Sequence, residues 1–215
     1  MTLLKRGFFI TAEGMDGSGK TTQIKNMQEY LSSMGCEILL TREPGGTRIS
    51  ESIRSVILNP EYTEMTDTAE LMLYSAARAQ LVEQQIKPSI EKGTVVICDR
   101  YVDSFYAYQG FGRGLDIDRL KRITEMAING IMPDITFFFD LAPEAALMRR
   151  FAASQSDRIE NEVLDFHKKV YEGYKEIARS NPQRIKIIDA SKSPEEIWLN
   201  VRRQLDMALG FIKLV

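Results

Sequence analysis

A layered α/β domain built on a parallel sheet is the fold class this sequence predicts, and three observations lead to it. Short apolar runs alternate with helix-length segments along the 215 residues, the pattern of strands joined by right-handed helical crossovers. The run Thr94 to Cys98, TVVIC, is continuously apolar, which suits a strand covered on both faces. The glycine-rich stretch GMDGSGKT, Gly14 to Thr21, lies between the first strand and the first helix. At 44% hydrophobic and 27% charged residues, the chain has the material for one sheet and its helices. A single domain over residues 1–215, with a small mobile insertion, is the expected organisation.

Gly7 to Ala12 reads as the first strand and Lys20 to Met34 as the helix behind the glycine loop. Glu37 to Thr41 is the second strand. After the turn Arg42 to Thr47, the residues Ile49, Ile53, Val56 and Ile57 recur at helical spacing, and Pro60 closes that element. Thr66 to Ile90 is a long helix with Leu71, Leu73, Ala77, Leu81 and Ile86 at its apolar positions and Asp67 or Thr68 at its start. TVVIC follows as the third strand and ends on Asp99. Leu120 to Asn129 is helical, Ile135 to Phe139 is the fourth strand, and Pro143 to Ala153 is a helix with proline in its first turn. Asn161 to Ser180, Arg184 to Ile188 and Pro194 to Leu209 complete the pattern as helix, strand and helix. The polar stretch Ala152 to Ile159, AASQSDRI, fits either a plain connection or a substrate lid around residues 150–160.

Composition excludes several function classes. Twenty-eight Lys and Arg against 30 Asp and Glu give a net charge of -2, which argues against broad attraction to nucleic acid or anionic membrane. A small phosphorylated substrate needs only a local positive pocket. Cys36 and Cys98 lack metal-cluster spacing and cannot form a disulfide framework, so a reduced, cytoplasmic setting is expected. The single His167 excludes a multi-histidine metal centre, and its charged helical surroundings predict a solvent-facing residue. No apolar run approaches the roughly 18 to 20 residues of a membrane span, and the amino terminus shows no signal-peptide cleavage pattern.

GMDGSGKT is a complete G-x-x-x-x-G-K-[ST] match. Glycines allow tight turns in which backbone N–H groups converge on phosphate oxygens, and the following helix presents its positive end to the same charge. Lys20 can span the β and γ phosphates, and Thr21 can give a hydroxyl to Mg²⁺. Asp16 adds no positive charge and reads as a turn or polar-contact residue, while Thr22 fits either the helix start or an α-phosphate contact. The loop alone admits an ATPase, a GTPase or a kinase. No NKxD motif supports GTP, and the chain is too short for a P-loop core with a large mechanical domain, which puts a small-substrate kinase first.

Further charged groups sit where strands should end. Arg42 to Gly46, REPGG, forms a turn whose opposite charges fit either phosphate and metal binding or surface pairing. Asp99 and Arg100 close the third strand, where a carboxylate can hold Mg²⁺ through water or orient a substrate hydroxyl and a guanidinium can neutralise transferring phosphate, or where the two form a plain capping or loop ion pair. Arg54 fits a helical surface cation or a phosphate-positioning residue. Tyr74 and Arg78, four apart on one helix, can meet one ligand or pack on each other. Tyr101, Phe105, Tyr106 and Tyr108 suggest core packing beside a pocket, with no basic stripe for a nucleic-acid platform.

Together FFITAEGMDGSGKTTQ, TREPGGT, AELMLYSAARAQL, VVICDRYVDSFYAYQG, SDRIE and IIDA resemble the bacterial thymidylate kinase family, from about Gly7 into the final helix. The resemblance implies a P-loop nucleoside-monophosphate kinase fold, a five-stranded parallel sheet covered by helices, usually as a homodimer. It also implies Mg²⁺-dependent transfer from ATP to dTMP, giving ADP and dTDP. By matching positions, Gly14, Met15, Asp16, Gly17, Ser18, Gly19, Lys20, Thr21 and Thr22 would bind ATP. Arg149 would pack across its adenine and Ala190 would lie in the adenine loop. Thr21, Glu43 and Asp99 would serve the metal.

On the acceptor side, the resemblance implies that Glu13 approaches the sugar and that Arg42 and Glu43 form a transfer-site pair. Arg54 would hold the acceptor phosphate, and Asp99 with Arg100 would organise metal, phosphate and sugar. Tyr74 would stack on thymine, Arg78 would read its polar edge, Ser104 and Gln109 would lie in the base-binding segment, and Tyr108 would crowd out a 2′-hydroxyl. This chain has Tyr74 where the bacterial pattern often has Phe, and Ala153 where a lid arginine would be expected. The catalytic cations implied are therefore Lys20, Arg42, Arg100 and a lid arginine, Arg150 or Arg158. A dTMP phosphate oxygen is already anionic at neutral pH and can attack the γ-phosphorus directly, so no histidine base is needed.

Overall fold

The computed structural model describes residues 6–151 and 157–210, with 150 and 151 described by their backbone alone. Each expected strand is present and runs one residue further than its apolar run: β1 (Phe8–Glu13), β2 (Ile38–Arg42), β3 (Val95–Asp99), β4 (Ile135–Asp140) and β5 (Ile185–Asp189). Ladder hydrogen bonds are made by the backbone, so pairing continues through a charged residue that apolar patterning alone would exclude. As a result all five strands end on a charged side chain, at one edge of the sheet.

The sheet is wholly parallel, in the order β2-β3-β1-β4-β5. Its register puts Asp99 beside Arg42 on one side and Ala12 on the other. Carboxyl ends of adjacent parallel strands are where ligands bind in open α/β sheets. Both faces are covered. Ile10, Ala12, Val95, Ile97, Phe137 and Phe139 pack with Met27 and Leu31 of α1 (Lys20–Ser33) and with Val201 and Leu205 of α9 (Pro194–Ala208). On the other face Phe9, Val96 and Cys98 meet Leu81, Val82 and Ile86. Strand β3 thus buries alternate residues on opposite sides, which is why TVVIC has no polar alternation.

Helix starts are set by local hydrogen bonds. Thr47 caps α2 (Arg48–Leu58) by accepting from Ser50 N at 3.1 Å. Thr66, rather than Asp67 or Thr68, caps α3 (Asp67–Leu81) by accepting from Ala69 N at 3.3 Å. The long helix passes through a wider π-type turn, Val82–Ile86, before finishing as α4 (Lys87–Glu91). Asp116 starts α6 (Ile117–Ile128) three residues before the apolar pattern suggests, by accepting from Arg119 N at 2.7 Å.

After Asp99 the chain forms α5 (Val102–Phe105) and a second π-type segment, Tyr106–Gly112, neither of which the sequence pattern indicates. Their aromatic residues carry no clean helical period. Packing shapes this segment: Gly173 of α8 (Leu164–Ser180) lies so near that a Cβ there would come within 2.6 Å of the Phe111 ring. The remaining helix, α7 (Pro143–Phe151), begins at proline as expected. Its continuation to Ala153, and the lid segment 152–156, lie outside the described residues.

Candidate active site

The phosphate loop leaves β1 and enters α1 through three glycines with positive φ: Gly14 at 135°, Gly17 at 85° and Gly19 at 87°. Gly19 is the N-cap and supplies no side chain to the first amides of α1. An uncapped helix start facing a glycine loop suits an anion, so phosphate fits here. Lys20 is 6% exposed and donates to the carbonyls of Gly14 at 3.0 Å and Met15 at 2.9 Å. Burial and the nearby Arg100 pull its pKa down, against the opposing charge of Asp16. Ser18 Oγ is buried without a hydrogen-bond partner among the described residues, while Thr21 and Thr22 are exposed at the helix start.

Beside the loop is a cavity lined by Asp16, Arg54, Tyr74, Arg78, Arg100, Ser104, Tyr108 and Gln109, drawn from separate elements. Arg78 is fully buried, pairs with Glu43, and holds its guanidinium 4.5 Å from the centre of the Phe105 ring. Its Nε and Nη1 have no hydrogen-bond partner among the described residues. Buried donors left unmatched are costly, so these two atoms mark where a ligand acceptor belongs. Tyr74, one turn earlier, lies tilted against Phe105 with ring centres 6.3 Å apart. Arg54 is half-buried and donates to the Pro44 carbonyl at 2.9 Å.

Arg100 joins the loop to the cavity. It adopts a left-handed backbone, φ 69°, and its guanidinium reaches Asp16 at 2.8 Å, Tyr174 OH at 3.0 Å and Ser104 Oγ at 3.2 Å. It also lies 5.3 Å from the centre of the Tyr108 ring. Asp99 Oδ1 is buried with no hydrogen-bond partner among the described residues, an acceptor suited to a cation or its bound water.

The structure corrects several sequence expectations. Glu13 does not reach the cavity: it is fully buried, accepts from Tyr101 N at 2.7 Å and also from Ser104 Oγ. Burial, with the neighbouring Asp103 charge, pushes its carboxyl up to about 8, against Ser104, Arg100 and the Tyr101 amide. Asp16 is the loop carboxylate that lines the cavity. Arg42 and Glu43 do not pair with each other. Arg42, 53% exposed at the end of β2, meets Glu51 at 2.8 Å, while Glu43, in the bend just past the strand, turns inward to Arg78. Glu43 Oε1 is taken by this buried ion pair, while its Oε2 is buried without a hydrogen-bond partner among the described residues and Glu43 lines the cavity.

Arg158, expected as a lid cation, is tied instead to the Ile57 carbonyl at 2.8 Å and to Glu70 at 2.6 Å. The Arg150 side chain lies outside the described residues, as does Ala153. Arg149 and Ala190 do come together, with Arg149 Nη1 donating to the Ala190 carbonyl at 3.1 Å. His167 is not solvent-facing: it is 5% exposed, sits near Met15 and Asp16, and burial lowers its pKa. A charged helix can turn a single polar residue inward, which residue type alone does not reveal.

The thymidylate kinase family model matches residues 12–200. A thymidylate kinase of Exiguobacterium sp. is 49% identical over 189 residues, covering 88% of this chain and 89% of that protein. One from Pelotomaculum thermopropionicum is 46% identical over 210 residues, 97% of each. The chain belongs to the thymidylate kinase family. The crystal structure of thymidylate kinase from Ehrlichia chaffeensis matches its fold with a TM-score of 0.77 at 34% identity, covering 93% of this chain and 98% of that one. Within this thymidylate kinase cavity, sequence reasoning missed Asp157 and Glu160, which line the wall, and Tyr174, which holds Arg100. Asp157 and Glu160 were legible as part of the SDRIE match, whereas Tyr174 carries no local signal on its helix.

Proposed function

We propose that the cavity beside the phosphate loop is the dTMP site and that the loop holds ATP, so that the chain catalyses phosphorylation of dTMP to dTDP. Family membership supports the reaction. The observation that carries the acceptor assignment is Arg78, whose Nε and Nη1 are buried and unmatched beside Tyr74. A base with an exocyclic carbonyl satisfies those donors while stacking on the tyrosine ring. Arg54 and Arg100 then offer guanidinium groups to the acceptor phosphate, and Asp16 offers an acceptor to the sugar hydroxyl. Tyr108, 8% exposed, closes the side where a 2′-hydroxyl would sit.

Alignment and charge neutralisation are the protein's main work in this reaction. Lys20 leaves its loop carbonyls for phosphate oxygens, and the α1 amides receive the donor phosphates. Thr21 and Asp99 are the residues that would hold Mg²⁺, which supplies charge neutralisation between the donor phosphates. The buried, poorly charged His167 takes no part, because the attacking oxygen needs no base. Arg149 and Ala190 form the adenine end.

A cytoplasmic homodimer is part of the same reading. Ile49, Val56 and Met72 are exposed apolar residues on α2 and α3, a face suited to a second copy. No helix among the described residues is long and apolar enough to cross a membrane. The direct test is incubation of purified protein with ATP, Mg²⁺ and each nucleoside monophosphate, followed by product separation. Preferential dTDP formation is expected, and equal or greater turnover of another monophosphate would remove the substrate assignment. Light scattering on a size-exclusion column checks the dimer.

A further inference from the structure

Glu70 is a buried carboxylate with no role in the site described above. It lies on α3 one turn before Tyr74 and two before Arg78, so the three share a helix face. Glu70 is 1% exposed, and its Oε1 accepts from Gln109 Nε2 at 2.9 Å and Arg113 Nε at 3.3 Å. Oε2 accepts from Arg113 Nη2 at 3.1 Å and Arg158 Nη2 at 2.6 Å. Burial works to raise its carboxyl, but the bonds from Arg113 and Gln109 hold it below the ordinary value, so it is ionised.

An ionised carboxylate accepts and never donates. The Gln109 amide must therefore turn its NH₂ toward Glu70, because the flipped amide would set oxygen against oxygen. That fixes the amide oxygen on the other side, and Gln109 lines the cavity. With Arg78 lining the same cavity, the site then offers donors from Arg78 and an acceptor from Gln109. Thymine presents the matching pair, a carbonyl next to N3–H. Cytosine presents the reverse.

We propose that Glu70 is a positioning residue for base recognition: by taking the Gln109 amide nitrogen it aims the Gln109 oxygen at the N3–H of the pyrimidine. This rests on the dTMP reading above. The test compares steady-state kinetics for dTMP at saturating ATP in wild type, Glu70→Gln, and the exchanged double variant Glu70→Gln/Gln109→Glu. In Glu70→Gln the amide at 109 is free to flip, so KM for dTMP rises about tenfold while kcat stays within about threefold. The exchange restores an acceptor-only group facing the base, and KM returns to within about threefold of wild type. In a Gln109→Met background, Glu70→Gln adds no further rise.

An unchanged KM in Glu70→Gln, or a loss of kcat and KM together that the exchange does not rescue, overturns the role. Should Glu70→Gln fail to fold, Glu70→Asp decides. It keeps the charge for Arg113 and Arg158, retracts from Gln109, and must show the same KM rise against an unchanged kcat. Wild-type protein that makes no dTDP would instead remove the dTMP reading itself, so the two failures are distinct.

Discussion

The phosphate loop and the cavity beside it, the two sites of the proposed reaction, are built in opposite ways. The loop is one contiguous run whose backbone amides, positive-φ glycines and single buried lysine make the site. The cavity gathers side chains from β1's loop, β3's end, α2, α3, α5, the π-type segment and the residues after 156. Its charges are held by opposite charges: Arg78 by the buried Glu43, Arg100 by the part-exposed Asp16. The loop therefore depends on backbone conformation and is sensitive to an added Cβ. The cavity depends on charge pairing and is sensitive to loss of one partner.

The sharpest test of that contrast is Arg78→Met. It leaves Glu43 buried and unpaired, and should cost about 3–5 kcal/mol of stability in denaturant unfolding at neutral pH. A loss under about 1 kcal/mol would mean that the pair does not organise the cavity. Lys20→Ala tests the other side: kcat should fall about 10²–10³-fold, equivalent to about 3–4 kcal/mol, with the unfolding midpoint nearly unchanged. If Lys20→Ala proved as destabilising as Arg78→Met, the division between the two regions would fail.

Gly14→Ala comes next. Its φ of 135° and a Cβ approach of 2.7 Å to the Phe139 carbonyl predict a loss of about 1–3 kcal/mol and weakened ATP binding, checked by thermal unfolding and nucleotide titration. An unaffected Gly14→Ala protein would show that the loop's backbone conformation is less constrained than the φ values imply.

The smallest effect concerns Glu13, which titrates at about 8 in the folded chain against an ordinary 4.5. Between those values the folded protein keeps a proton that the unfolded chain has released, so this group makes stability fall as pH rises from about 4.5 to about 8. Glu13→Gln removes that contribution. The drop in Tm between about pH 5 and pH 8 should be shallower in the variant than in wild type, and an equal drop would reassign the slope to other groups.

Much of the fold was legible because strands and helices announce themselves by period. The one-residue extension of every strand was missed because apolar pattern stops before backbone pairing does. The aromatic stretch from Tyr101 to Gly112 was missed as structure because its turns follow close packing against Gly173 and Phe166 rather than a repeat. In the site, the placement of Arg42, Glu43 and Arg158 depended on distant carboxylate or guanidinium partners at Glu51, Arg78 and Glu70. Glu70 itself had a signal, its 70, 74, 78 spacing, which an eye on Tyr74 and Arg78 alone passes over.

By itself, then, the sequence determined the phosphate loop, the parallel α/β class and the family motifs, since each is a local property of consecutive residues and their backbone. Tertiary structure decided which carboxylate faces the cavity, Asp16 rather than Glu13, and which partner each arginine takes. It also buried His167 against expectation. The reason is that a backbone amide cradle needs only its own neighbours, whereas the direction of a charged side chain is fixed by opposite charges that folding brings from far along the chain.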